Sequence, residues 1–154
     1  DEADLDPTAG VTMVEYEGVK YIVNRIKFRK TAVDRDSAIE KAAKFMKGRW
    51  DNYRVANEVN PGPDGKFAHN HLAARLRPHG IVCMSQPVTK NKAARATMFA
   101  AGIKYGEVRI LANQDWTEDF MEELIRFPNA PHDDQVDAAA HAYNAIEDWK
   151  GGKV

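Results

Sequence analysis

Three aspartates close together near the end of the chain, Asp133, Asp134 and Asp137, are the residues whose types and spacing could do chemistry. They follow a loop held open by Pro128 and Pro131 and lead into the alanine run Ala138-Ala139-Ala140. Closely spaced carboxylates repel unless solvent, a helix N-terminus or a divalent cation with hard oxygen ligands relieves them. The plain reading is a charged cap on a surface helix. The chemical one is a site for a divalent cation, which takes hard oxygen ligands of this kind.

Glu58 is the second candidate. It stands at the C-terminal end of residues 53–59, which read as a buried central strand, just before the turn cluster Asn60-Pro61-Gly62-Pro63-Asp64-Gly65. Active sites of open α/β sheets gather at that edge. An unpaired ionised carboxylate is costly to desolvate, so Glu58 either pairs with Arg54 or a nearby lysine, or serves a site. The residues alone leave both open. Lys90, Lys92 and Arg95 put cations at the start of a helix, where the macrodipole opposes them. A phosphate-facing role accounts for them better than intrinsic stability, and a solvated face is the plain alternative. Ala93, Ala94, Met98, Phe99 and Ala101 read as core.

Other motifs fall away. Gly62, Gly65 and Lys66 do not have the spacing of a phosphate-binding GxxxxGK[ST] loop, and Phe67 follows the lysine. His69 and His71 lack a second ligand pair at a zinc spacing and read as surface histidines. His132 sits beside the aspartates as a second-sphere or proton-carrying candidate.

The elements that must position these groups follow from pattern. Pro131 disfavours helix for the residue before it and Asp133 is a good N-cap, so a helix starts at or just after Asp133. Asp134 and Asp137 then share one face, while Val136, Ala139, Ala140 and Tyr143 face the core. Residues 11–16 and 19–28 read as a hairpin turning at Glu17-Gly18. Asp34 or Asp36 caps a helix bearing Ala38, Ile39, Ala42, Ala43, Phe45 and Met46 and ending at Gly48. Helices over residues 66–76 and 91–105 follow, with strands over 80–85 and 108–111. Thr117 caps a helix over 118–126 with Phe120, Leu124 and Ile125 on its apolar side. The order argues for an α/β fold, a mixed β-sheet flanked by α-helices.

The chain has 154 residues, enough for a single domain with a core. Its 22 lysines and arginines nearly cancel 23 acids, which neither supports nor excludes a nucleic-acid partner. The one cysteine, Cys83, cannot form an internal disulfide and suits a reducing compartment. With no signal peptide and no apolar run long enough for a bilayer, no membrane is expected and the cytoplasm is the expected location.

Residues 116–138, closing with Phe127-Pro128 and His132-Asp133-Asp134-Gln135-Val136-Asp137-Ala138, resemble the C-terminal nuclease domain of tailed-phage terminase large subunits, which ends F-P-x(n)-H-D-D-x-x-D-A before a helix. Asp6-Pro7-Thr8-Ala9-Gly10-Val11 is similar to the start of that family's second strand. Asn57-Glu58 with the glycine turn and Lys66 is similar to its strand bearing the second acid, and Lys92-Ala93-Ala94-Arg95-Ala96 to its K-x-x-R-A element. The likeness runs through the chain in order.

The resemblance implies an RNase H-like fold and a metal-dependent endonuclease that cuts concatemeric double-stranded DNA during genome packaging in an infected bacterial host. It places the second acid on Glu58 and the third on Asp134 or Asp133, with Asp137 supporting the metal set and Mg2+ or Mn2+ as cofactor. Lys66, Lys90, Lys92 and Arg95 become the DNA-facing cations. The ATPase domain of the motor, the small terminase subunit and the portal protein become the partners. The family's first acid lies on a strand upstream of the Asp-Pro-Thr-Ala-Gly segment, so the chain is expected to begin in the loop after it, with Asp1, Asp4 or Asp6 as substitutes. No Walker A motif occurs here. A junction resolvase and a non-catalytic DNA-holding or docking module are the alternatives.

Overall fold

The computed structural model describes residues 8–28, 31–88 and 91–152. Asp1, Asp4, Asp6 and Lys90 lie outside them. The chain forms two compact units, one built from residues 31–88 and the other from 8–28 and 91–152. Both are mixed α/β, and the described residues hold five strands and five α-helices.

The second unit starts with a hairpin. Strand β1 (Thr8–Tyr16) pairs antiparallel with β2 (Val19–Phe28), Tyr16 opposite Val19. Glu17 (φ 49°) and Gly18 (φ 80°) both take left-handed backbone, the geometry of a two-residue turn whose twist matches its strands. A bulge between Thr12 and Met13 shifts the register. Strand β5 (Val108–Ile110) joins the other edge of β2 in parallel. Three helices complete the unit: α3 (Lys92–Lys104), α4 (Thr117–Arg126) and α5 (Asp134–Lys150). Its core gathers Ile22, Phe99, Val108, Trp116, Phe120, Val136, Ala139, Ala140 and Tyr143. Helix α5 packs on β1, α3 and α4.

The first unit holds α1 (Ala32–Lys47), β3 (Arg54–Val59), α2 (Pro63–Leu76), a 3-10 turn at Arg77–His79 and β4 (Val82–Pro87). Strands β3 and β4 run parallel, joined through α2. Its core is Ala43, Leu72, Leu76 and Ile81. Buried Asp36 of α1 accepts from Arg35 at 3.1 Å and faces His71 at 3.3 Å, while Glu40 takes Arg75 at 2.8 Å and His79 at 2.9 Å. These pairs tie α1 to α2 and to the turn after it.

Thr31, not Asp34 or Asp36, caps α1: its hydroxyl accepts from the Asp34 amide. Phe45 is exposed, because α1 buries only the narrow stripe of Ala43 and Met46 besides Asp36. On α3, Ala93, Ala94 and Met98 face outward and Phe99 is buried with Ala96. On α4 the inward side is Phe120, Glu123 and Leu124, and Ile125 is 77% exposed. Thr117 bonds backward, to the Leu111 carbonyl and from the Gln114 amide, and Trp116 takes the N-cap position.

Candidate functional site

The start of α5 is where the acids converge. Asp133 is the N-cap residue and its carbonyl accepts the Asp137 amide at 2.9 Å, which opens the helix where Pro131 and the aspartates predict. Asp133, Asp134 and Asp137 are all half-buried at this end. Asp133 was expected to cap with its side chain, and it does not.

The cap comes from α4 instead. Glu123, 7% exposed, directs Oε2 at the Val136 amide, which donates over 2.6 Å, and Oε1 accepts from Gln135 Nε2 at 3.2 Å. Burial pushes the Glu123 carboxyl above its ordinary range, the two donors pull against that, and nearby Asp134 adds to the rise. The sequence reading missed Glu123. The signal lay in α4's periodicity, where Phe120, Glu123, Leu124 and Phe127 fall at i, i+3, i+4 and i+7 and put a glutamate inside an apolar stripe.

Asp137 is turned to α3. Arg95 Nη2 lies 3.2 Å from each Asp137 oxygen, with the two side chains 9% and 17% exposed. Arg95, expected to face DNA, has a nearly buried guanidinium that holds the Asp137 carboxylate and fastens α3 to α5. Lys92 opens α3, whose first turn is capped by Asn91 accepting from the Ala94 amide at 3.1 Å.

Glu58 and Lys66 belong to the first unit. Glu58 is the penultimate residue of β3 and is exposed, as is Ala56, while Val55, Asn57 and Val59 alternate inward. The expected buried strand is corrected: β3 is two-faced and Glu58 stands on its solvent side. Lys66 is exposed in the first turn of α2, which begins tightly, because a Cβ on Gly65 would collide with the Asn60 carbonyl. His69 sits 3.5 Å from Asn57 Nδ2 and His71 beside Asp36, so both meet polar neighbours. His132 is exposed. Among the described residues, no group of three or more His, Cys, Asp or Glu side chains is gathered closely enough to hold a metal ion. No helix among them is long and apolar enough to cross a membrane.

The antiparallel hairpin, the parallel strand pairs and the five helices make a mixed α/β arrangement consistent with an RNase H-like fold. The chain belongs to the terminase RNaseH-like domain family, whose family model matches residues 3–146. No curated protein and no solved structure matches it.

Proposed function

We propose that this chain is the metal-dependent endonuclease domain of a phage DNA-packaging terminase large subunit, hydrolysing phosphodiester bonds of concatemeric double-stranded DNA. The observation that carries the reading is the start of α5, where Asp133 and Asp134 stand side by side at a helix N-terminus within a chain of this family. Their carboxylates offer the hard oxygen donors that Mg2+ and Mn2+ require, and the helix N-terminus offsets part of their repulsion. Glu58 and, more weakly, Asp137 are the further acids proposed as metal ligands. These acids would hold the divalent cation, which would supply activation of a water and stabilisation of the leaving oxygen. The chain's own acids bind and orient it, and Lys66, Lys90 and Lys92 hold the DNA backbone through phosphate contacts. The ATPase domain, the small terminase subunit and the portal protein are the proposed partners, in the cytoplasm of an infected bacterium.

Titrating the folded chain with Mn2+ in a calorimeter tests the metal assignment. Binding that weakens strongly in both Glu58→Ala and Asp134→Asn is expected. A folded chain that takes up no Mn2+ would contradict the nuclease reading and favour a DNA-holding module.

A further inference from the structure

We propose that Glu123 is a positioning residue for the Asp133–Asp134 pair: it caps α5 from α4, in the place that Asp133's side chain would otherwise fill. This rests on the nuclease reading of the site. Val136 is the third residue of α5, and the amide at that position is the one an N-cap side chain ordinarily accepts from. Here Glu123 Oε2 takes it at 2.6 Å, and Asp133, in the N-cap position, makes no side-chain cap bond.

The arrangement is built rather than incidental. Glu123 lies on the buried side of α4 next to Phe120, where an ionisable group is costly unless its oxygens are matched to donors. Both are matched, one to the backbone of α5 and one to the amide of Gln135, itself 1% exposed. A carboxylate fixed on two adjacent residues of the first turn sets the rotation of that turn, and with it the direction of the neighbouring acids. Second-sphere partners of this kind commonly govern how well ligating carboxylates bind a cation.

Two measurements test it on the whole chain. The first is melting of Asp133→Ala against Asp133→Asn. Asparagine retains an N-cap acceptor and alanine does not, so equal melting temperatures are expected if Glu123 is the cap. An alanine variant melting about 2–4 °C below the asparagine one, the effect of one lost cap in a domain of this size, would show that Asp133 caps its own helix and overturn the proposal. This result does not depend on nuclease activity.

The second is Mn2+ affinity of Glu123→Ala and Glu123→Gln. The alanine variant is expected to bind about 10–100-fold more weakly. The glutamine variant keeps an acceptor for Val136, and its new amide can donate to Gln135 Oε1 once the Gln135 amide turns over, so it should bind like wild type. A folded alanine variant with wild-type affinity would overturn the positioning role. If Glu123→Ala does not fold, a glutamine variant as weak as Asp134→Asn would overturn it. A wild type that binds no Mn2+ overturns the nuclease reading and the positioning role together, while the melting comparison still decides the cap.

Discussion

Arg95 and Asp137 face each other between α3 and α5, the Arg95 Nη2 atom equidistant at 3.2 Å from both carboxylate oxygens. The pair joins the element expected to meet DNA to the helix that carries the acids. Breaking it leaves a half-buried charge without this partner, so Arg95→Met should lower stability by about 3 kcal/mol, and Arg95→Met with Asp137→Leu by less than the two single changes summed. Arg95 should also leave the salt dependence of DNA binding unchanged, since a phosphate contact would reduce that slope by about one. Filter binding over a range of salt checks it.

Two glutamates should give stability opposite pH slopes. Glu147 hydrogen-bonds Lys20 at 2.5 Å, and that bond chiefly holds its carboxyl below the ordinary 4.5. Its contribution is therefore present above 4.5 and lost as pH falls through its lowered native value. Glu123 is raised by burial, so its contribution is full below 4.5 and lost as pH rises through its native value. Melting curves across acid and neutral pH should show Glu147→Gln losing part of the acid limb's steepness. The advantage of wild type over Glu123→Gln should shrink as pH rises.

Gly102 lets α3 approach its neighbours. A Cβ there would stand 2.8 Å from Val108 Cγ2 and 3.1 Å from the Tyr143 ring, both buried. Overpacking outweighs the gain in helix propensity, so Gly102→Ala should destabilise by about 1–2 kcal/mol in denaturant titrations.

Much of this frame is legible in local sequence. The hairpin follows from alternation and the Glu17-Gly18 turn, and the start of α5 from Pro131 and the aspartates, because those signals act within a few residues. Tertiary choices are not local. Whether Asp133 or Glu123 caps α5 depends on α4 packing against it, and whether Arg95 meets solvent or Asp137 depends on how α3 lies on α5. Glu58 shows the limit for strands: six residues with mixed character do not reveal which face is covered. For the two helices, a charged residue inside an otherwise apolar stripe, Glu123 on α4 and Arg95 beside Ala96 and Phe99 on α3, carried the clue.

Cys83 offers a probe of the first unit. Burial chiefly, with Asp36 adding, pushes its thiol up to about 11. At pH 8 only about a thousandth of it is thiolate, so iodoacetamide should label the native protein far more slowly than the unfolded one. Rapid native labelling, followed by mass spectrometry, would contradict that burial.

Metal-dependent DNA cleavage that needs Glu58 and the aspartates of α5 is the proposed activity. The direct measurement is nicking of supercoiled plasmid in Mn2+ by the wild-type chain, Glu58→Ala and Asp134→Asn, each shown to be folded by circular dichroism. Nicking by wild type that EDTA and both substitutions abolish is the predicted result. A folded wild type that leaves the plasmid supercoiled, or cleavage that survives both substitutions, would contradict it.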